Sequence, residues 1–143
     1  MPSITITLIQ TKLYWENKEA NLHILEEKMA AIEQPNQVVV LPEMFSTGFS
    51  MKPELFAERL DGPTVRWMQK IAAAKKIILT GSIIIDEEGK YFNRAIWMLP
   101  NGQYGYYDKR HLFAFAEEDK HYTAGSKRLI TSVNGWKIMI SVC

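Results

Sequence analysis

At 143 residues, 47% of them hydrophobic and 23% charged, the chain falls in the range of a single soluble globular domain burying roughly 70% of the surface its unfolded form exposes. Its 17 basic and 16 acidic residues leave a net charge of +1, which excludes the basic footprint of a nucleic-acid or anionic-membrane binder. No run approaches the roughly 18 apolar residues of a membrane span, no basic and then apolar leader opens the chain, and a single cysteine excludes an internal disulfide, so the cytoplasm is the expected location.

Residues 3–10 alternate Ile4, Ile6 and Leu8 against Thr5, Thr7 and Ile9, the pattern of a strand rich in β-branched side chains. Within residues 16–34, Leu22, Leu25, Met29 and Ile32 recur at helical spacing, which predicts an amphipathic helix closed by Pro35-Asn36. Val38-Val39-Val40-Leu41 is then a short apolar strand of the kind buried on both faces, so strand, helix and strand suggest a crossover unit. It runs into Pro42-Glu43, and an acidic residue stands where a central strand ends. Residues 44–60 read as a loop with one helical turn, residues 65–75 as a helix burying Met68, Ile71 and Ala72, and residues 77–85 as a strongly apolar strand. A turn at residues 86–90, a returning strand at 91–99, a tight turn at Pro100-Asn101-Gly102 and a third strand at 103–107 make a meander ending in Asp108-Lys109-Arg110-His111. Residues 112–126 show no periodicity and read as a long loop. Asn134-Gly135 predicts a hairpin between strands 127–133 and 136–143, the latter with Trp136, Ile138, Ile140 and Val142 on one apolar face, giving a mixed sheet. No repeat or linker divides the chain, so residues 1–143 are expected to belong to one domain.

Glu43, Lys109 and Cys143 thus fall at three predicted strand ends. Alone, Cys143 reads first as a small buried hydrophobe, Glu43 as a solvated strand end and Lys109 as a surface charge. Together they form a coherent acyl-transfer set: a thiol whose free pKa is roughly 8.5 needs a base or a cation to act as a nucleophile near neutral pH. Glu43 is then the base, and Lys109 the cation that also holds an oxyanion. His23, His111 and His121 lack partners at ligand spacing, so no metal is expected. Phe45, Phe49, Phe113, Phe115 and Tyr122 either wall a substrate pocket or fill core.

Val39-Val40-Leu41-Pro42-Glu43, Tyr107-Asp108-Lys109-Arg110-His111-Leu112-Phe113 and Ile140-Ser141-Val142-Cys143 resemble the three signature segments of the nitrilase, or carbon-nitrogen hydrolase, superfamily, in that family's order. The resemblance implies an α-β-β-α sandwich, of which these residues supply the N-terminal half, assembled as a homodimer or higher homo-oligomer and needing no metal or organic cofactor. It implies Glu43 as general base, Lys109 as transition-state stabiliser and Cys143 as nucleophile, with a supporting glutamate at Glu118 and Glu117 as its adjacent rival. The run from Leu41 to Phe49 is similar to the omega-amidase branch, whose substrates are small amides such as 2-oxoglutaramate. Another carbon-nitrogen hydrolase activity, on carbamoyl amides or nitriles, is the alternative within the family. Members run to nearly twice this length, so the sequence is expected to continue beyond Cys143 in the working protein; an inactive fragment serving as a binding module is the alternative of a different class.

Overall fold

The computed structural model describes residues 2–33 and 35–143. Five strands, β1 (Ile6–Leu8), β2 (Val38–Val40), β3 (Ile78–Glu87), β4 (Lys90–Met98) and β5 (Tyr104–Asp108), pair in that order. β1, β2 and β3 are parallel, with Ile6 opposite Val38 and Val38 opposite Ile78; β4 and β5 return antiparallel, with Ser82 opposite Ala95 and Ala95 opposite Tyr107. The parallel steps need crossovers, which the helices α1 (Lys18–Ala30) and, beyond the single turn α2 (Pro53–Phe56), α3 (Pro63–Lys75) supply.

Local chemistry explains where the helices begin and end. The first helix starts two residues later than the periodicity suggests because Glu16 is left-handed (φ 53°) and Asn17 caps, its side chain accepting from the Ala20 amide. It stops at Ala30, and Gln34, the last residue of the predicted helix, lies outside the described residues. The second long helix begins earlier than expected, at Pro63, whose ring suits the first helical position, and ends at a left-handed Lys76.

The helices cover one face of the sheet. Leu25 and Met29 of α1 and Val65, Met68, Ile71 and Ala72 of α3 pack on Val39, Leu79, Ile83, Ile85, Ile96 and Met98. Each large side chain fully buried there contributes about 1.5–3 kcal/mol. Strands β6 (Leu129–Val133) and β7 (Trp136–Ile140) pack on the opposite face, where Val133, Leu129, Ile138 and Ile140 meet Val38 and Trp97. Asn134 (φ 49°) and Gly135 (φ 81°) make the left-handed turn that Asn-Gly predicts.

Three expectations change. The closing hairpin is its own two-stranded sheet and does not extend the mixed one. Its last strand ends at Ile140, and Trp136 is exposed, its indole N–H donating to the Pro2 carbonyl at 3.0 Å, so only part of the anticipated apolar face is buried. The 112–126 loop contains two short helical pieces, a 3₁₀ turn at Ala114–Ala116 and α4 at Glu118–His121, each too short to produce a periodic signal. No helix among the described residues is long and apolar enough to cross a membrane.

Candidate active site

Pro42 follows β2 and lacks the amide that would continue its ladder, so the chain turns away after Leu41 donates to the Thr80 carbonyl at 2.8 Å. Ser82 on β3 fixes the turn twice: its hydroxyl accepts from the Met44 amide at 2.8 Å and its carbonyl from the Phe45 amide at 3.2 Å. Met44 is left-handed (φ 48°) although it is not glycine, and this backbone carries Glu43 immediately before it. Lys109 stands one residue past β5, its amide donating to the Asn93 carbonyl and its carbonyl accepting from Gly125, both at 2.9 Å. Glu118 opens α4 after a second left-handed residue, Glu117 (φ 62°), and accepts from the Phe113 amide at 2.8 Å.

These three segments converge. The Lys109 ammonium lies 2.9 Å from Glu43 Oε1 and 3.0 Å from Glu118 Oε1, with the Phe49 ring 5.1 Å away. Lys109 is 1% exposed and Glu118 wholly buried, so the reading of Lys109 as a surface charge is overturned. Burial pulls the ammonium's pKa down; hydrogen bonds and charge attraction from Glu43 and Glu118 outweigh that pull, and the net shift is upward. Lys109 is therefore a resident cation at neutral pH. Glu117 points outward to Lys120 at 2.9 Å, so of the two adjacent glutamates it is Glu118 that meets Lys109.

Glu43 differs from Glu118 in keeping 31% of its side chain exposed. It lines a cavity of about 330 Å³ together with Ser82, Trp97 and the segment from Ile138 to Cys143. Cys143 is exposed, unlike the small buried hydrophobe that it reads as when taken alone. Glu43 and Cys143 thus line one cavity, with Lys109 and Glu118 behind the carboxylate. A larger depression of about 880 Å³, lined by Arg59, Arg66, Asp86 and Glu87 among others, holds none of these groups.

Sequence reading missed one buried polar residue beside this cluster, Asn93, and gave a second, Tyr122, only as pocket wall or core. Asn93 on β4 donates from Nδ2 to Glu43 Oε1 at 2.8 Å. Tyr122 donates its hydroxyl to the Ser50 carbonyl, tying α4 to the loop that carries Phe49. Burial, then the negative charges of Glu118 and Glu54, raise its pKa, which keeps it a donor. The sequence signal for Asn93 is weak: it is one of two adjacent polar residues, with Arg94, inside a largely apolar strand. Of the five aromatic candidates, Phe45 is core, Phe49 faces Lys109, Tyr122 packs with Met44 and Ile84, and Phe113 and Phe115 are exposed.

Residues 5–143 match the family model for carbon-nitrogen hydrolases. This chain belongs to that family. Among carbon-nitrogen hydrolase relatives, the omega-amidase YafV of Escherichia coli (strain K12) is 38% identical over 143 residues, all of this chain and 55% of that protein. The 2-oxoglutaramate amidase of Bacillus subtilis (strain 168) is 26% identical over 144 residues, covering 97% of this chain and 55% of that protein. The crystal structure of XC1258 from Xanthomonas campestris, a CN-hydrolase superfamily protein with an arsenic adduct in its active site, has a TM-score of 0.95 and 38% identity, covering 100% of this chain and 54% of that one. The fold is that of the nitrilase superfamily, omega-amidase branch, and the chain spans about half the length of the curated relatives it matches.

Proposed function

We propose that the whole protein is a cysteine-dependent amidase that hydrolyses the terminal amide of a small carboxylate such as 2-oxoglutaramate, with residues 1–143 forming the N-terminal part of a single catalytic domain. One observation carries the reading: Glu43 is bound to a buried ammonium at 2.9 Å while its side chain remains open to the cavity that Cys143 lines. Similarity to the two amidases named above supports the substrate class.

In this mechanism Glu43 takes the proton of the Cys143 thiol as sulfur forms a bond to the amide carbon and the carbonyl electron pair moves onto oxygen. Lys109 donates an N–H to that oxyanion; one such donor contributes about 3 kcal/mol to the barrier reduction. The adduct collapses with cleavage of the C–N bond, Glu43 returns its proton to nitrogen, and ammonia leaves a thioester on sulfur. Water then gives a proton to Glu43 as its oxygen attacks the thioester, the C–S bond breaks, and the proton passes to sulfur. Glu118 touches no reacting atom in this scheme and holds Lys109 in place and charged.

The test is ammonia release from 2-oxoglutaramate by the whole protein, with Cys143→Ala as control. Loss of turnover with an unchanged circular dichroism spectrum is expected; a fully active Cys143→Ala protein would sink the reading. Faster turnover of a nitrile or a carbamoyl amide in the same assay would reassign the substrate.

A further inference from the structure

Asn93 is completely buried between the two glutamates of the cluster. Its Nδ2 lies 2.8 Å from Glu43 Oε1 and 3.5 Å from Glu118 Oε2, so one nitrogen offers one hydrogen to each carboxylate, the first a strong bond and the second a weak one. The amide orientation is dictated by these neighbours, because exchanging nitrogen and oxygen would set a carbonyl oxygen against two carboxylates. At the other end, Oδ1 is buried and accepts from no described residue. A hydrocarbon side chain of the same shape would avoid that penalty, so packing alone gives no reason for an amide here.

The two oxygens of Glu43 are consequently unequal. Oε1 accepts from both Asn93 and Lys109, and among the described residues no donor reaches Oε2. An oxygen with two donors has its lone pairs occupied and is the poorer proton acceptor; the bare one is the better. A single contact from the ammonium would also leave the carboxylate free to turn about its broad terminal torsion, whereas a second donor from another direction fixes its plane.

We infer that Asn93 is a positioning residue that holds the Glu43 carboxylate in one plane and, with Lys109, leaves Oε2 as the oxygen that exchanges protons with the cavity. The inference rests on the reading of Glu43 as the general base. Asn93 also couples the site to the strand beneath it, since its backbone carbonyl accepts the Lys109 amide.

The test uses Asn93→Ala and Asn93→Asp in the whole protein, with Glu43→Gln in parallel. For Asn93→Ala, kcat is expected to fall between about 10- and 100-fold with little change in KM. The acid limb of its kcat/KM profile moves to higher pH, because a carboxylate that loses a donor is less stable charged, and Asn93→Asp moves it further by adding a like charge. Should Asn93→Asp fail to fold, Asn93→Ala decides alone. A wild-type acid limb in Asn93→Ala, or a lower melting temperature with unchanged kcat per folded molecule, would overturn the positioning role. If Glu43→Gln is inactive in that case, the reading of Glu43 stands and only Asn93 loses its role. An active Glu43→Gln overturns both.

Discussion

Arg94 and Lys109 are both buried cations, each 1% exposed, the first on β4 and the second one residue past its neighbour β5, on opposite faces of the sheet. Arg94 faces the helix side, where its Nε meets Asp108 at 2.6 Å, its terminal nitrogens reach Glu87, and its guanidinium stacks on Tyr106 at 4.0 Å. Burial lowers its pKa, and the bonds to Asp108 and Glu87 raise it by more, so it is charged at every accessible pH. Lys109 has the same count of carboxylate partners, yet one of them opens on a cavity beside a thiol. A buried ion pair alone is no sign of chemistry. The difference lies in the partner: Asp108 and Glu87 hold Arg94 as a structural pin, while Glu43 is held by Lys109 and still reaches the cavity.

Substitutions at the two cations should separate these roles. Lys109→Met strips Glu118 of its counter-charge and should cost about 3–5 kcal/mol of stability. Turnover per folded molecule should fall by about 100- to 1,000-fold, read by denaturant melts and initial rates together. Gly125→Ala comes next. A Cβ at Gly125 would collide with the Asp108 carbonyl oxygen, and Asp108 and Lys109 are consecutive, so both cations are disturbed. A loss of about 1–3 kcal/mol and of about 10- to 100-fold in rate is expected. Arg94→Met should destabilise by up to about 3 kcal/mol, the exposure of Glu87 limiting it, and leave turnover per folded molecule unchanged. A rate loss there would erase the contrast.

The smallest effects are in pH dependence, and the two pairs have opposite signs. Arg94, first by hydrogen bonding and then by charge, holds the Glu87 carboxyl below its usual range. That contribution is present above about pH 4.3 and is lost as pH falls, so the melting-temperature gap between wild type and Arg94→Met narrows in acid. Lys109, raised, contributes fully below about pH 10.4 and loses its contribution only as pH climbs past its folded value. The contribution of Lys109's own titration is therefore flat through neutrality, and any narrowing of the gap to Lys109→Met in acid comes from the glutamates it leaves unpaired.

Much of this arrangement is legible in the sequence where the signal is local. The apolar strands, the crossover helix with Leu25 and Met29 inward, the Asn134-Gly135 turn and the placement of Glu43 and Lys109 at strand ends all follow from spacing and composition. What spacing does not carry is long-range closure. Glu43 and Lys109 are 66 residues apart, and Glu43 and Asn93 are 50 apart, so their meeting depends on sheet register, which no motif encodes. The burial of Asn21 is hidden for the same reason: its amide bonds the carbonyls of Tyr14 and Ser46, groups on separate segments. Trp136 misleads in the other direction. Its place in the alternation is right, but at the end of a two-stranded hairpin little sheet remains for it to cover.

Met44 places a conflicting pair of demands on one position. Its side chain is completely buried among Ile84, Tyr122 and their neighbours, while its backbone is left-handed beside Glu43. Glycine would relax the backbone and leave a hole; valine or isoleucine would fill the space and resist the conformation. The repertoire of residues that satisfy both is short, confined to long unbranched side chains. In a saturation library this position should therefore tolerate fewer replacements than Leu22, which is only partly buried and free of that conformational constraint.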